Sequence, residues 1–227
     1  MPQPEPPSSP APQLDWRDGT IPVSRAFDDP YFSLSGGLAE TRHVFLAGNV
    51  LPDRLRDGFQ IAELGFGTGL NLLATLLCHP GQGHIRFTSF EAFPLPAADI
   101  ARALEAFPET APLAEAFLAQ WSNGLRTLQF PGLTADIIIG DARDTLPRWN
   151  GKADAWFLDG FSPAKNPELW SPDLMANVAR HTAPGGTFAT YTAAGHVRQS
   201  LTQAGFTVTR QPGFGRKRHM TTGYLPG

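Results

Sequence analysis

The segment Ile61-Ala-Glu-Leu-Gly-Phe-Gly-Thr-Gly-Leu-Asn71 restricts the fold more than any other part of the chain. An apolar run, Phe59 to Leu64, leads into Gly65, Gly67 and Gly69, and a stretch of helical character, Leu70 to Leu77, follows. A glycine loop between a strand and a helix turns tightly and lets the backbone approach a bound molecule, because no Cβ intervenes. Beyond it the same alternation continues. Ile85 to Phe90, Ile137 to Ile139, Ala155 to Leu158 and Thr187 to Thr192 read as short buried strands. Ala97 to Phe107, Pro112 to Trp121, Pro172 to Arg180 and Val197 to Ala204 read as the helices between and after them. This order implies an α/β fold whose mostly parallel sheet is covered on both faces and binds ligands at the carboxyl ends of its strands. Gly205 ends the last helix, and Phe206 to Arg210 with Thr221 to Leu225 suggest an antiparallel closing hairpin. Gly37 to Asn49 carries a partial helical pattern (Leu38, Val44, Phe45, Ala47) that could lie over the ligand side.

The spacing of the loop bears on what it binds. A dinucleotide fingerprint needs a glycine or alanine at position 70, which is Leu70, so the pattern here is Gly-x-Gly-x-Gly. Glu63 stands just before the loop, where a carboxylate repels a pyrophosphate but attracts the cationic amino group of an amino-acid-like ligand. That favours S-adenosylmethionine over a nicotinamide dinucleotide. Other strand ends supply matching acids. Glu91, with Ala92 after it, ends the second strand and is placed to accept both hydroxyls of a ribose. Gly140-Asp141-Ala142 ends the third, where an acid can accept from the exocyclic amine of adenine. Leu158-Asp159-Gly160-Phe161 ends the fourth. An isolated acid at a strand end is commonly a helix cap, but four such positions around one loop point to a site.

Composition narrows the class further. The 227 residues suffice for one sizeable domain, and the expected division is a disordered proline-rich tail over 1–13 and a single domain over 14–227. Cys78 is the only cysteine, so neither a disulfide framework nor a cysteine-based metal site is expected, and the chain reads as cytoplasmic. No apolar run is long enough to span a membrane, and no secretory signal is visible at the N-terminus. The six histidines lack paired ligand spacing, so no metal is expected. The net charge of -3 conceals an asymmetry: from Leu174 onward there are six basic residues and no acid, leaving 12 basic and 21 acidic residues, or -9, before that point. A basic C-terminal part is either a solvated face or a phosphate-contacting surface.

Several long blocks go beyond the generic loop: Pro22-Val-Ser-Arg-Ala-Phe-Asp-Asp-Pro-Tyr-Phe-Ser33, Gly37-Leu-Ala-Glu-Thr-Arg-His-Val-Phe-Leu46, Gly65-Phe-Gly-Thr-Gly-Leu-Asn71 and Ser89-Phe-Glu-Ala-Phe-Pro-Leu95. They continue in Asp154-Ala-Trp-Phe-Leu-Asp-Gly-Phe-Ser-Pro-Ala-Lys-Asn-Pro167 and Gly213-Phe-Gly-Arg-Lys-Arg-His-Met220. In these blocks the chain resembles the tRNA 5-methylaminomethyl-2-thiouridine methyltransferase family, found as stand-alone enzymes (MnmD type) or as the N-terminal methyltransferase domain of MnmC. The resemblance covers nearly everything after the proline-rich tail. It implies a class I S-adenosylmethionine-dependent methyltransferase fold, Rossmann-like, with a mostly parallel seven-stranded sheet and an antiparallel closing hairpin. It also implies methyl transfer to the aminomethyl nitrogen of 5-aminomethyl-(2-thio)uridine at the tRNA wobble position. Bifunctional relatives carry a flavin-dependent oxidoreductase domain beyond the methyltransferase, so this chain is expected to methylate only.

The expected site follows. Cofactor contacts are assigned to Tyr31, Glu63, Gly65, Phe66, Gly67, Gly69, Asn71, Glu91, Ala92, Gly140, Asp141, Ala142 and Asp159. Methyl transfer to an amine requires an uncharged nitrogen held in line with the methyl carbon, and an alkylamine is largely protonated at neutral pH. A carboxylate that orients the amine and takes its proton is therefore useful, and Asp159 is the candidate catalytic residue. Phe161 is the candidate for stacking on the uracil, and Lys165, Arg198, Arg216, Lys217 and Arg218 for contacts to tRNA. Without an obvious catalytic cysteine, methylation of a pyrimidine ring carbon through a covalent adduct is disfavoured. Two alternatives stay open: a class I methyltransferase acting on a small-molecule or protein amine, and a non-catalytic tRNA-binding module.

Overall fold

The computed structural model describes residues 12–34, 36–79 and 81–227. The glycine segment sits at the centre of an eight-stranded sheet. Strands β4 (Gln60–Leu64), β5 (Ile85–Glu91), β7 (Leu133–Ile139), β8 (Ala153–Leu158) and β9 (Thr182–Thr190) run parallel, in the spatial order β9-β8-β4-β5-β7. From β4 the chain proceeds outward to β5 and β7, then crosses back to β8 and β9. The reversal of direction lies between β4 and β8, and a crevice opens there at the carboxyl ends of the strands. β10 (Thr207–Pro212) and β11 (His219–Tyr224) form the expected antiparallel hairpin, with β11 against β9.

Alternation along the strands divides the core in two. Ile61 of β4, Phe87 of β5 and Ala155 and Phe157 of β8 join one apolar cluster. It includes helices α2 (Leu70–Cys78) and α4 (Ala111–Ser122), and α3 (Ala97–Leu104) adds Ile100 and Leu104. Ala62 and Leu64, Phe90, and Trp156 and Leu158 face the other way, towards α6 (Pro172–Arg180) and α7 (Gly195–Gln203). α2 is buried over all of its first six residues, as expected of a helix that is apolar nearly all round. α6 keeps the predicted bounds because its ends are well marked: the Ser171 side chain accepts from the Leu174 N–H, Pro172 opens the helix and Arg180 sits in its last turn.

Differences from expectation have local causes. The large sheet has eight strands instead of seven, because β6 (Thr127–Phe130) pairs with the early part of β7 across a tight turn, Phe130 opposite Leu133. α3 ends at Leu104, short of the expected Phe107, because Phe107 precedes Pro108 and adopts φ -131°, ψ 70°. In β9, Thr182 pairs with Ala153 and Thr187 with Ala155, so residues 183–186, which include Pro184-Gly185-Gly186, bulge from the ladder.

Ahead of the sheet, β1 (Leu14–Arg17), β2 (Ile21–Ser24) and β3 (Asp29–Pro30) form a small antiparallel sheet that was not expected. Gln13 already belongs to it, its carbonyl accepting from the Arg25 N–H. The expected proline-rich tail otherwise falls on residues 1–11, outside the described residues. The partial helix over Gly37 to Asn49 resolves into a short α-helix, α1 (Gly37–Thr41), a π-helical turn over Arg42–Leu46 and a 3-10 turn over Ala47–Asn49. Among the described residues no helix is long and apolar enough to cross a membrane.

Candidate active site

A cavity of about 780 Å³ occupies the crevice at the strand ends. Its floor is the glycine loop. Gly65 has φ +82°, and a Cβ there would lie 3.2 Å from the Gly160 Cα, so the loops after β4 and β8 meet backbone to backbone. Gly67 has φ +52° with Tyr31 against it, a Cβ lying 3.2 Å from the ring. These glycines are therefore needed both for the turn and for its close contacts.

Glu91 lines the cavity at 8% exposure. Its two oxygens accept from the Gly67 N–H at 2.8 Å and the Phe93 N–H at 2.7 Å. Burial raises its pKa, and the backbone donors only partly oppose that. Asp141 caps α5 (Ala142–Thr145) by accepting from the Arg143 N–H at 2.8 Å, and it also pairs with the Arg143 guanidinium. Hydrogen bonds from Arg143 hold its carboxyl below the usual carboxylate range. Ala92, Ala142 and Phe66 also line the cavity, and Phe66 is stacked on Trp121 with centroids 5.2 Å apart.

Glu63 is placed differently from expectation. It is 0% exposed and is not among the cavity-lining residues. One oxygen accepts from the Asn71 amide at 2.8 Å, the other from the Ser89 hydroxyl at 2.6 Å. Burial raises its pKa well above the ordinary value. It supports the cavity from beneath instead of reaching into it. The link is Asn71, whose amide nitrogen also donates to Asp159 at 2.8 Å and whose oxygen accepts from the Thr41 hydroxyl at 2.9 Å.

Asp159 lies in the cavity wall directly after β8. Its second oxygen accepts from the Gly160 N–H at 2.8 Å. Burial pushes its carboxyl up to about 6, against the pull of the Gly160 and Asn71 hydrogen bonds. The loop that carries it is pinned at successive residues. Tyr191 donates to the Gly160 carbonyl at 2.7 Å, Trp170 to the Phe161 carbonyl at 2.9 Å, and the Ser162 N–H donates to Asp29 at 2.7 Å.

The raised carboxyl has a consequence for stability. Asp159 holds its proton more tightly in the folded state, so its contribution favours folding at low pH and is lost as pH rises from about 4 to about 6. A shift of that size is worth at most about 3 kcal/mol, while losing one acceptor in Asp159→Asn costs about 1 kcal/mol. Asp159→Asn is therefore expected to melt at or above the wild-type temperature at pH 8, with a smaller advantage at pH 5. Thermal melts at both values check this; a variant several degrees less stable at pH 8 would contradict it.

The remaining assigned residues divide. Tyr31, Phe161, Arg216 and Lys217 line the cavity; Gly69, Gly140, Lys165, Arg198 and Arg218 do not. Gly69 packs against Phe117, and Gly140 against Thr145. Phe161 is already stacked on Phe27, with centroids 4.6 Å apart, and makes an edge contact with Tyr31 at 5.0 Å. Phe161 is thus one member of an aromatic group and not an isolated ring. Lys165 is committed to Asp28 at 2.9 Å, fastening the loop after β8 to the N-terminal sheet. Arg198 donates to the Ala193 carbonyl at 3.3 Å. Arg216, Lys217 and Arg218 are exposed at the cavity rim or beside it, and neither arginine is drawn into an ion pair among the described residues.

Sequence reasoning did not single out Phe27, Glu40, Thr41 or Tyr191, all of which line the cavity. Glu40 and Thr41 follow from the short helix over the ligand side, had it been read residue by residue. Tyr191 comes just after β9 and carried no motif of its own.

A parallel sheet with a glycine loop after its first strand, a glutamate ending the next and acids at two further strand ends defines a class I S-adenosylmethionine-dependent methyltransferase. Comparison with known proteins agrees. A family model described as S-adenosyl-L-methionine-dependent methyltransferase matches residues 108–226, over half of the chain. The chain is 48% identical over 229 residues to the tRNA 5-methylaminomethyl-2-thiouridine biosynthesis bifunctional protein MnmC of Pseudomonas aeruginosa, with 95% of this chain and 35% of that protein aligned. Against the protein of the same name from Caulobacter vibrioides it is 44% identical over 232 residues, covering 97% of this chain and 39% of that one. The chain thus spans little more than a third of the length of these relatives. The crystal structure of MNMC2 from Aquifex Aeolicus superposes with a TM-score of 0.77 at 28% identity, over 97% of this chain and 74% of that one. The chain belongs to this S-adenosyl-L-methionine-dependent methyltransferase family.

Proposed function

We propose that the protein methylates the aminomethyl nitrogen of 5-aminomethyl-(2-thio)uridine at the wobble position of tRNA, giving 5-methylaminomethyl-(2-thio)uridine. The observation that carries this reading is the 48% identity to the MnmC protein over 95% of the chain. The geometry supports it, since a half-buried acid poised near neutrality lies in the same cavity as Arg216 and Lys217. Work on tRNA puts the reaction in the cytosol.

The cavity suits S-adenosylmethionine. The glycine loop leaves backbone where side chains would fill the floor, and Glu91, held by backbone N–H groups of the loops after β4 and β5, opens on the cavity where a ribose diol would meet it. Glu91, Asp141, Ala142 and the Gly65–Gly67 loop are the residues that would hold it. When bound, this cofactor supplies an electrophilic methyl carbon on a sulfonium. The chain does the rest. Asp159, fixed by Asn71 and Gly160, orients the amine and accepts its proton, and a carboxyl near 6 is mostly ionised at neutral pH yet still basic enough to receive one. Phe27, Tyr31 and Phe161 exclude water from one side of the cavity.

A salt titration tests the tRNA assignment. Activity on aminomethyl-uridine tRNA should fall steeply with added salt. Changing both Arg216 and Arg218 to alanine should lower kcat/KM about tenfold and flatten the log–log salt dependence by about 2. Indifference to salt and to both substitutions would sink it in favour of a small-molecule or protein amine.

A further inference from the structure

Among the described residues of the basic rim, Lys217 is the one that pairs with side chains of the cavity. Its ammonium nitrogen lies 2.8 Å from the Glu40 Oε1 and 4.3 Å from the centroid of the Tyr191 ring. Both partners line the cavity, as does Asp159. Glu40 is only 8% exposed, on α1, whereas the Lys217 side chain retains 43% of its exposure and comes from the exposed turn before β11. A carboxylate buried to that degree needs a cation against it, and an aromatic face beside it favours a cation further. Tyr191 is held in place by its hydrogen bond to the Gly160 carbonyl, the residue next to Asp159. Carboxylate and ring face thus hold the end of a primary alkylammonium, and its charge is felt at the Asp159 carboxylate across the same cavity.

The substrate group in the proposed reaction is also a primary alkylammonium before it loses its proton. We infer that Glu40 and Tyr191 form the recognition subsite for the substrate's aminomethyl cation, and that Lys217 holds this subsite in the free protein and leaves it when tRNA binds. The inference rests on the proposed function. Glu40 and Tyr191 act by positioning: they receive the charged amine beside Asp159, which takes the proton. Lys217, once displaced, joins Arg216 and Arg218 on the rim, where a phosphate backbone offers it a new partner. Substrate entry then exchanges one ion pair for another without leaving Glu40 buried and unpaired.

A double-mutant cycle on methylation of aminomethyl-uridine tRNA separates this from a role in which Glu40 only anchors Lys217. Glu40→Gln should raise KM about tenfold or more, as expected for loss of a charged partner, with cofactor affinity kept. The same penalty should appear when Glu40→Gln is added to Lys217→Met, because the carboxylate acts on the substrate and not through the lysine. Equal losses in Glu40→Gln, Lys217→Met and the double variant would overturn the inference, as would loss of cofactor affinity in Glu40→Gln. A wild-type enzyme inactive on this tRNA is a distinct result: it removes the proposed function, and the subsite with it.

Discussion

Asp159→Asn is expected to lower methyl transfer to an aminomethyl-uridine tRNA by about 10²–10⁴-fold, the usual contribution of a positioned proton acceptor, with S-adenosylmethionine affinity changed by no more than about threefold. The reason lies in how the carboxylate is held. Asn71 and the Gly160 N–H each occupy one oxygen, and together they fix its direction while leaving lone pairs towards the cavity. An amide keeps the shape but cannot accept the proton that the amine must lose. Because burial sets the carboxyl near 6, wild-type turnover should also decline as pH falls below about 6, and the variant should lack that limb. Single-turnover assays from pH 5 to 8 give both results. Near-normal turnover in the variant would remove Asp159 from the chemistry.

Glu91→Gln should weaken S-adenosylmethionine binding by roughly 10- to 100-fold, the value of one or two charge-assisted hydrogen bonds. Glu91 does two things at once. Its oxygens hold the Gly67 and Phe93 N–H groups, with those of Phe66 and Ala92 beside them, which shapes the glycine loop, and its carboxylate faces the cavity where the ribose is assigned. A glutamine would turn an N–H₂ group towards one of the backbone donors, so the loop loses an anchor together with the ligand contact. Calorimetric titration reads the loss directly; unchanged affinity would mean that the ribose lies elsewhere.

Much of this site was legible because the signals were local. A glycine at +82° beside another backbone can hardly be anything but glycine, and acids at strand ends fall where a parallel sheet opens. What misled was direction. Glu63 directly precedes the loop, but it shares a face of β4 with Ile61 and points into the core under α2, where Asn71 and Ser89 take both its oxygens. Strand alternation contains that fact, since an acid two residues from a buried isoleucine lies on the same face. The ion pair of Lys165 was hidden for a different reason. Its partner Asp28 is far away in sequence, and only the folded N-terminal sheet brings them together.

The N-terminal sheet and β6 were legible in part. Asp18-Gly19 lies between β1 and β2, and Pro131-Gly132 between β6 and β7; both are turn pairs between short strands. The subsite of Glu40, Tyr191 and Lys217 is of the other kind. Its members come from α1, the loop after β9 and the turn before β11, and no spacing in the chain joins them.

The central claim is methyl transfer to the aminomethyl nitrogen. Incubation of the protein with labelled S-adenosylmethionine and tRNA from cells lacking this modification, followed by nucleoside analysis, tests it most directly. The account predicts that label appears in 5-methylaminomethyl-(2-thio)uridine and in no other nucleoside. Label on a ring carbon or ribose, or none in tRNA while the cofactor still binds, would contradict it.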